Sequence, residues 1–135
     1  MTEAKQALER PLSPHLSIYR LEINMLMSII HRITGLSLYV GTLLLATWLV
    51  AAATGKEPFD AVSGLFGHPI GKLILFGYTW ALVHHLLGGL RHLVWDSGRG
   101  LQIWQVNVLS WLTILGSIFL TLAIWTVGLL LKGVL

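Results

Sequence analysis

Two short stretches hold most of the side chains in this sequence that could do chemistry. SIIHRITG (28–35) carries Ser28, His31 and Arg32, and YTWALVHHLLGGLRHLVWD (78–96) carries His84, His85, Arg91, His92 and Asp96. Both lie inside long apolar runs, where one cation costs several kcal/mol to insert. On a helix, Ser28 and Arg32 are four apart and share a face, Ser28 and His31 adjoin, and Gly35 lies one turn deeper. A guanidinium offers five fixed donors and a permanent charge, suited to a carboxylate or a ligand carbonyl. Arg32 has an equal claim to a blander role, snorkelling to headgroups.

In the second stretch His85, Gly88, Gly89 and His92 fall at i, i+3, i+4 and i+7, which is one stripe. A histidine followed one turn on by glycines suits a flat macrocycle, because the imidazole reaches the metal while the ring approaches bare backbone. His84 competes for the role through a stripe of Gly77, Trp80, Gly88 and Arg91. A lone membrane histidine more often bonds across helices. Four histidines and two arginines at one end of two helices favour a site. His85 lies about 10 Å deeper than His92 at ~1.5 Å per residue, and His31 sits near the interface. His31 and His85 are therefore expected at different depths, so that this chain supplies one axial heme ligand and a partner the other. His31, Arg32 and His92 would then stand on the side where heme propionates need cations. Asp96, beside Arg91 and His92, is a local ion-pair partner or a proton-delivery group.

These residues need membrane helices to hold them. Of the 135 residues, 55% are hydrophobic and only 11% charged, against roughly 25% in soluble domains. There are no cysteines, which excludes disulfides, thiolate metal sites and iron–sulfur clusters held by this chain. The net charge of +3 forms no nucleic-acid patch. Three apolar stretches, about 25–53, 69–94 and 105–131, each exceed the ~20 residues that cross a bilayer. The expectation is an all-α membrane protein, one anchor domain over 1–135, with three transmembrane helices, an irregular polar arm over 1–22, and part of a multi-chain bundle. The segment ATGKEPFDAVSGLFGHP reads as a loop, and Pro69 suits a first helical turn. Ser110, Thr113, Ser117, Thr121 and Thr126 in the third span read as packing residues without chemistry. His15 and His68 read as surface histidines.

VAAATG resembles a signal-peptidase site, but about 22 polar residues precede the first run, and that run exceeds the ~7–15 residues of a secretory core. A retained signal-anchor helix is expected and an organellar transit peptide is not, with a processed organellar chain left open as the alternative to a bacterial one. Lys5, Arg10, Arg20, Arg32, Arg91 and Arg99 fall on one side, and Lys56, Lys72 and Lys132 on the other. The excess places the N-terminus in the cytoplasm and the C-terminus in the periplasm of a bacterial inner membrane.

RPLSPHLSIYR (10–20), SIIHRITG (28–35) and HLLGGLRHLVWD (85–96) together resemble the cytochrome b membrane-anchor subunit of succinate dehydrogenase, respiratory complex II. The resemblance covers essentially the whole chain. It implies a complex that oxidises succinate at an FAD-bearing flavoprotein subunit and passes electrons through the clusters of an iron–sulfur subunit to ubiquinone. It implies a second small anchor subunit, with heme b between the two anchors and one axial histidine from each. The histidine seven residues before the one in RH, here His85, is the implied ligand. Ser28 and Arg32 fall at the quinone-site serine and arginine, and His31 at a propionate contact. One departure is LEINMLMS (21–28), where many relatives place a tryptophan and an LP pair. Met25 still stands three residues before Ser28 and could line the quinone pocket. Two other classes remain open: the anchor of a fumarate reductase or other quinone-linked oxidoreductase, and a non-enzymatic assembly subunit.

Overall fold

The computed structural model describes residues 13–133. The part of the N-terminal arm before residue 13, with Arg10 and Pro11, lies outside the described residues. Five helices follow in order: α1 (His15–Ile18), α2 (Ile23–Thr54), α3 (Lys56–Gly67), α4 (Pro69–Asp96) and α5 (Ile103–Leu131). α2, α4 and α5 are long and apolar enough to cross a membrane. The 32 residues of α2 measure about 48 Å against a hydrocarbon core of about 30 Å. About 18 Å is left to share between the two interfaces, which eases the cost of His31 and Arg32 near its start.

The three long helices pack on one another with little large apolar side chain between them. Met27, Ala51, Ala81 and Val83 are the buried hydrophobic residues, beside buried Thr34, His84, Arg91, Ser110, Thr113, Ser117 and Thr121. This distribution suits lipid. Leu, Ile and Val gain nothing by leaving hydrocarbon, so small and hydroxylated residues make the helix contacts. Gly41 is the clearest case: a Cβ there would overlap the ring of Tyr78. Thr126 departs from expectation, since it is exposed while the other four hydroxyl residues of α5 are buried.

Two further expectations are corrected. Residues 15–18 of the arm form a helical turn. The segment between the first two spans is helix α3, not loop. Gly55, at φ +144°, ends α2 and permits an immediate restart. Pro58 falls within the first turn of α3, where a missing N–H is tolerated. Phe59, Val62, Ser63 and Phe66 form its less exposed stripe, and α3 packs on α2 and α4. The next restart has Pro69 in the first turn of α4, with exposed His68 accepting the Ile70 N–H at 3.4 Å on its Nδ1.

Candidate functional site

The start of α2 and the last turns of α4 bring three of the histidines together. The rings of His31 and His85 lie flat on each other, 3.9 Å apart at 6° between planes. His92 stands 5.5 Å from His31 and meets Trp95 edge-on at 5.2 Å. This corrects the expected mismatch in depth. Counting from helix ends assumed that α2 and α4 enter the membrane at one level, whereas α2 and α4 pack so that His31 and His85 stand level. The stacking still leaves no gap for a macrocycle between these two rings.

His85 is fixed from behind. Its Nδ1 lies 3.2 Å from the His31 carbonyl oxygen and 3.3 Å from Thr34 Oγ1. A carbonyl only accepts, so Nδ1 carries the proton of the neutral ring. The Thr34 hydroxyl gives its own proton to the carbonyls of Ile30 and His31, at 2.9 and 3.0 Å, and so can accept from His85 as well. Nε2 is left with its lone pair. It makes no hydrogen bond among the described residues and is not buried away from the surroundings. Metal-ligating histidines characteristically show this pattern, one ring nitrogen donating to a carbonyl and the other free for the metal.

His84 is held differently. It is 1% exposed, and its Nδ1 is 3.1 Å from Ser117 Oγ, whose proton goes to the Ile114 carbonyl at 2.8 Å. His84 therefore donates to Ser117, and its Nε2 is buried without a partner between helices. No macrocycle reaches a side chain so enclosed.

The glycines divide in the same way. A Cβ on Gly88 would stand 2.6 Å from His31 Nδ1, so the bare backbone at Gly88 admits the His31 ring itself. A Cβ on Gly35 would stand 3.0 Å from His85 Cε1, whereas one on Gly89 would meet open space. Beside this cluster, between α2 and α4, a groove of about 590 Å³ is lined by Thr34, Ser37, Gly41, Gly77, Trp80 and Ala81, among others. Exposed Ile33, Leu36, Val40 and Ile74 flank it.

Ser28 and Arg32 point away from the histidines. Both are exposed, and neither has a hydrogen-bond or ion-pair partner among the described residues. Met25, on the same outer surface, accepts a hydrogen bond from Tyr19 at 3.4 Å through its sulfur. Asp96, the last residue of α4, is exposed and forms no ion pair with Arg91; Lys56–Asp60 is the ion pair among the described residues.

Arg91 is the buried charge that spacing alone undervalued. It is 6% exposed, donates from Nη1 to Ser110 Oγ at 3.1 Å, and lies 4.9 Å over the Trp95 ring. Ser110 in turn shares its proton between the Val106 carbonyl and Asn24 Oδ1, both at 2.8 Å, and Asn24 Nδ2 donates to Asn107 Oδ1 at 3.1 Å. One polar chain thus ties α4, α5 and α2 together just beneath the Ser28–Arg32 surface. α5 carries no titratable group in its span, yet its serines hold His84 and Arg91. The available signal was Asn24, a polar residue at the second position of the first long apolar helix.

Comparison with known proteins identifies the family of the chain. Residues 6–124 match the family described as the succinate dehydrogenase/fumarate reductase transmembrane subunit. The succinate dehydrogenase cytochrome b556 subunit of Paracoccus denitrificans is 47% identical, over 82% of this chain and 85% of its own length. That of Rickettsia felis is 39% identical, over 93% and 99%. The mitochondrial cytochrome b560 subunit of Sus scrofa is 36% identical, over 87% and 79%. Matched along most of its length by the family and nearly end to end by a bacterial relative, this chain belongs to the succinate dehydrogenase/fumarate reductase transmembrane subunit family.

Proposed function

We propose that this chain is the cytochrome b membrane anchor of a succinate:quinone oxidoreductase, giving one axial ligand, His85, to a heme b shared with a second small anchor subunit. The observation that carries the ligand assignment is the fixed tautomer of His85. Its Nδ1–H is spent on the His31 carbonyl and Thr34, and its Nε2 is free. The residues present fit the group. Gly89 opens on bare backbone, and the adjoining groove offers a small-residue cradle on the face that an anchor partner would cover. Bound heme would supply one-electron redox capacity at that level. His31, Arg32 and His92 would provide donors and charge for its propionates.

Ser28, Arg32 and Met25 would form this chain's share of the ubiquinone site, completed by the iron–sulfur subunit. Succinate gives up two electrons and two protons at the flavoprotein, and ubiquinone takes up two of each to become ubiquinol. This chain oxidises no succinate itself. Ser28 would position one quinone oxygen. The Arg32 guanidinium would oppose the negative charge that gathers there as electrons arrive. Asp96, exposed at the end of α4, would pass protons from the cytoplasmic side. The lysine and arginine distribution supports an inner-membrane chain with a cytoplasmic N-terminus and a periplasmic C-terminus. The family also includes fumarate reductase subunits, but the relatives compared carry the succinate dehydrogenase name, which favours the succinate-oxidising direction.

The test is optical. In purified complex, His85→Ala should abolish or shift the reduced heme b absorption, and His84→Ala should retain it. An unaltered reduced spectrum in the His85 variant would refute the assignment.

A further inference from the structure

At the opposite end of the bundle from the histidines, α2, α3, α4 and α5 enclose a half-open cavity of about 610 Å³. Its walls are largely aromatic and aliphatic: Trp48 from α2, Phe59 and Phe66 from α3, Tyr78 from α4, and Trp125 and Leu129 from α5. The walls are pinned. Trp48 and Phe59 pack at 5.8 Å, Phe76 braces Trp125 at 5.4 Å, and Trp125 Nε1 donates to Thr79 Oγ1 at 3.2 Å. Two cations complete the lining, Lys72 in the first turn of α4 and Lys132 at the end of α5. Neither has a carboxylate partner among the described residues. The acids nearby are Glu57 and Asp60 of α3, and Asp60 is taken by Lys56, which does not line the cavity. Ser63 Oγ, also in the wall, is buried without a hydrogen-bond partner.

We propose that this cavity is a binding site for one anionic phospholipid, its phosphodiester held by Lys72 and Lys132 and its upper acyl chain against the aromatic walls. Three features select that occupant. The volume is that of a small-ligand pocket, commonly ~300–1,000 Å³. The surface is apolar except for a basic edge, the pattern of an amphiphile with a negative head. Lysines at a helix terminus also sit at headgroup level, where their reach suits a phosphate. A free anion would leave the aromatic walls bare, and a neutral isoprenoid would leave both ammonium groups unanswered. The cavity shares Gly41, Leu44 and Tyr78 with the groove beside the histidines, but Lys72 and Lys132 do not line that groove, so the lysine variants test the lipid site apart from the heme and quinone assignments.

Native mass spectrometry of the purified complex, delipidated and then titrated with phosphatidylglycerol or phosphatidylcholine, tests the proposal. One phosphatidylglycerol per copy of this chain should survive detergent washing, with phosphatidylcholine failing to replace it. Each of Lys72→Gln and Lys132→Gln should weaken retention about fivefold, and the pair about thirtyfold. Lys56→Gln should change nothing. Both lysine side chains are exposed, and an intact complex mass with an unchanged helical circular-dichroism spectrum certifies the fold of each variant. Equal retention of phosphatidylcholine, an undiminished anionic lipid in the double variant, or a co-purifying neutral quinone lost on Trp48→Ala instead would each overturn it.

Discussion

His31 and Arg32 are neighbours in sequence and divide their work by direction. The roughly 100° between successive helical residues turns His31 inward onto His85 and Gly88 and leaves Arg32 on the outer surface. An inward arginine would have to be desolvated against α4 beside buried Arg91, and the carboxylate of α4, Asp96, is exposed at its end. An outward one can be met by a partner subunit or by substrate. If Arg32 opposes charge on a bound quinone oxygen, losing it removes a preorganised donor, worth about 10²-fold in such sites. Arg32→Leu in the assembled complex should therefore lower succinate:ubiquinone reductase activity about 10²-fold. Succinate oxidation with a soluble artificial acceptor, which bypasses the membrane, should be unchanged. A parallel fall in both assays would point to misassembly, and a fall in neither would remove Arg32 from the quinone site.

At the scale of elements, the long spans were readable from the sequence because length and apolarity alone select a membrane helix. The helix α3 was not, because Pro58, Gly64 and three charges within 12 residues look like loop until the Phe59–Val62–Ser63–Phe66 stripe finds a surface to pack on. The level of His31 against His85 was misjudged for a related reason: it depends on how far one helix slides along another, which no single helix encodes. The rotation of α5 was equally hidden, and it decides that Ser110 meets Arg91 and Asn24 whereas Thr126 faces outward. The Arg91–Ser110–Asn24–Asn107 chain should consequently behave as one unit. Hydrogen bonds between membrane helices average about 0.6 kcal/mol and reach about 1.7. Asn24→Ala and Ser110→Ala should each lower the thermal midpoint of the detergent-solubilised complex by a few degrees. The double variant should lose clearly less than the sum, the signature of residues sharing one network. Strict additivity would mean that the contacts carry no joint energy.

On the scale of the whole molecule, the chain is an incomplete object in a consistent way. Of the four histidines at this end, His85 is the one with Nδ1 tied to a carbonyl and Nε2 open: His31 stacks on it, His84 is sealed between helices, and exposed His92 makes ring contacts alone among the described residues. Axial imidazoles meet an iron end-on from opposite faces of a macrocycle, and rings lying flat together 3.9 Å apart cannot do so. The groove beside the cluster is likewise half a container, with floor and flanks but no opposite wall. If His85 ligates a heme as proposed, the second ligand and the missing wall would come from one source, an anchor subunit packed against the α2–α4 face. Expressed without that subunit, the chain should insert into the membrane and carry little heme in a pyridine hemochrome assay. Co-expression with it should bring heme to about one per pair of anchors. Converting His85 to alanine should abolish that gain even when both anchors are present and co-purify. Stoichiometric heme on the solitary chain would instead mean that a ligand pair forms within it, with His31 swinging away from His85 to make it.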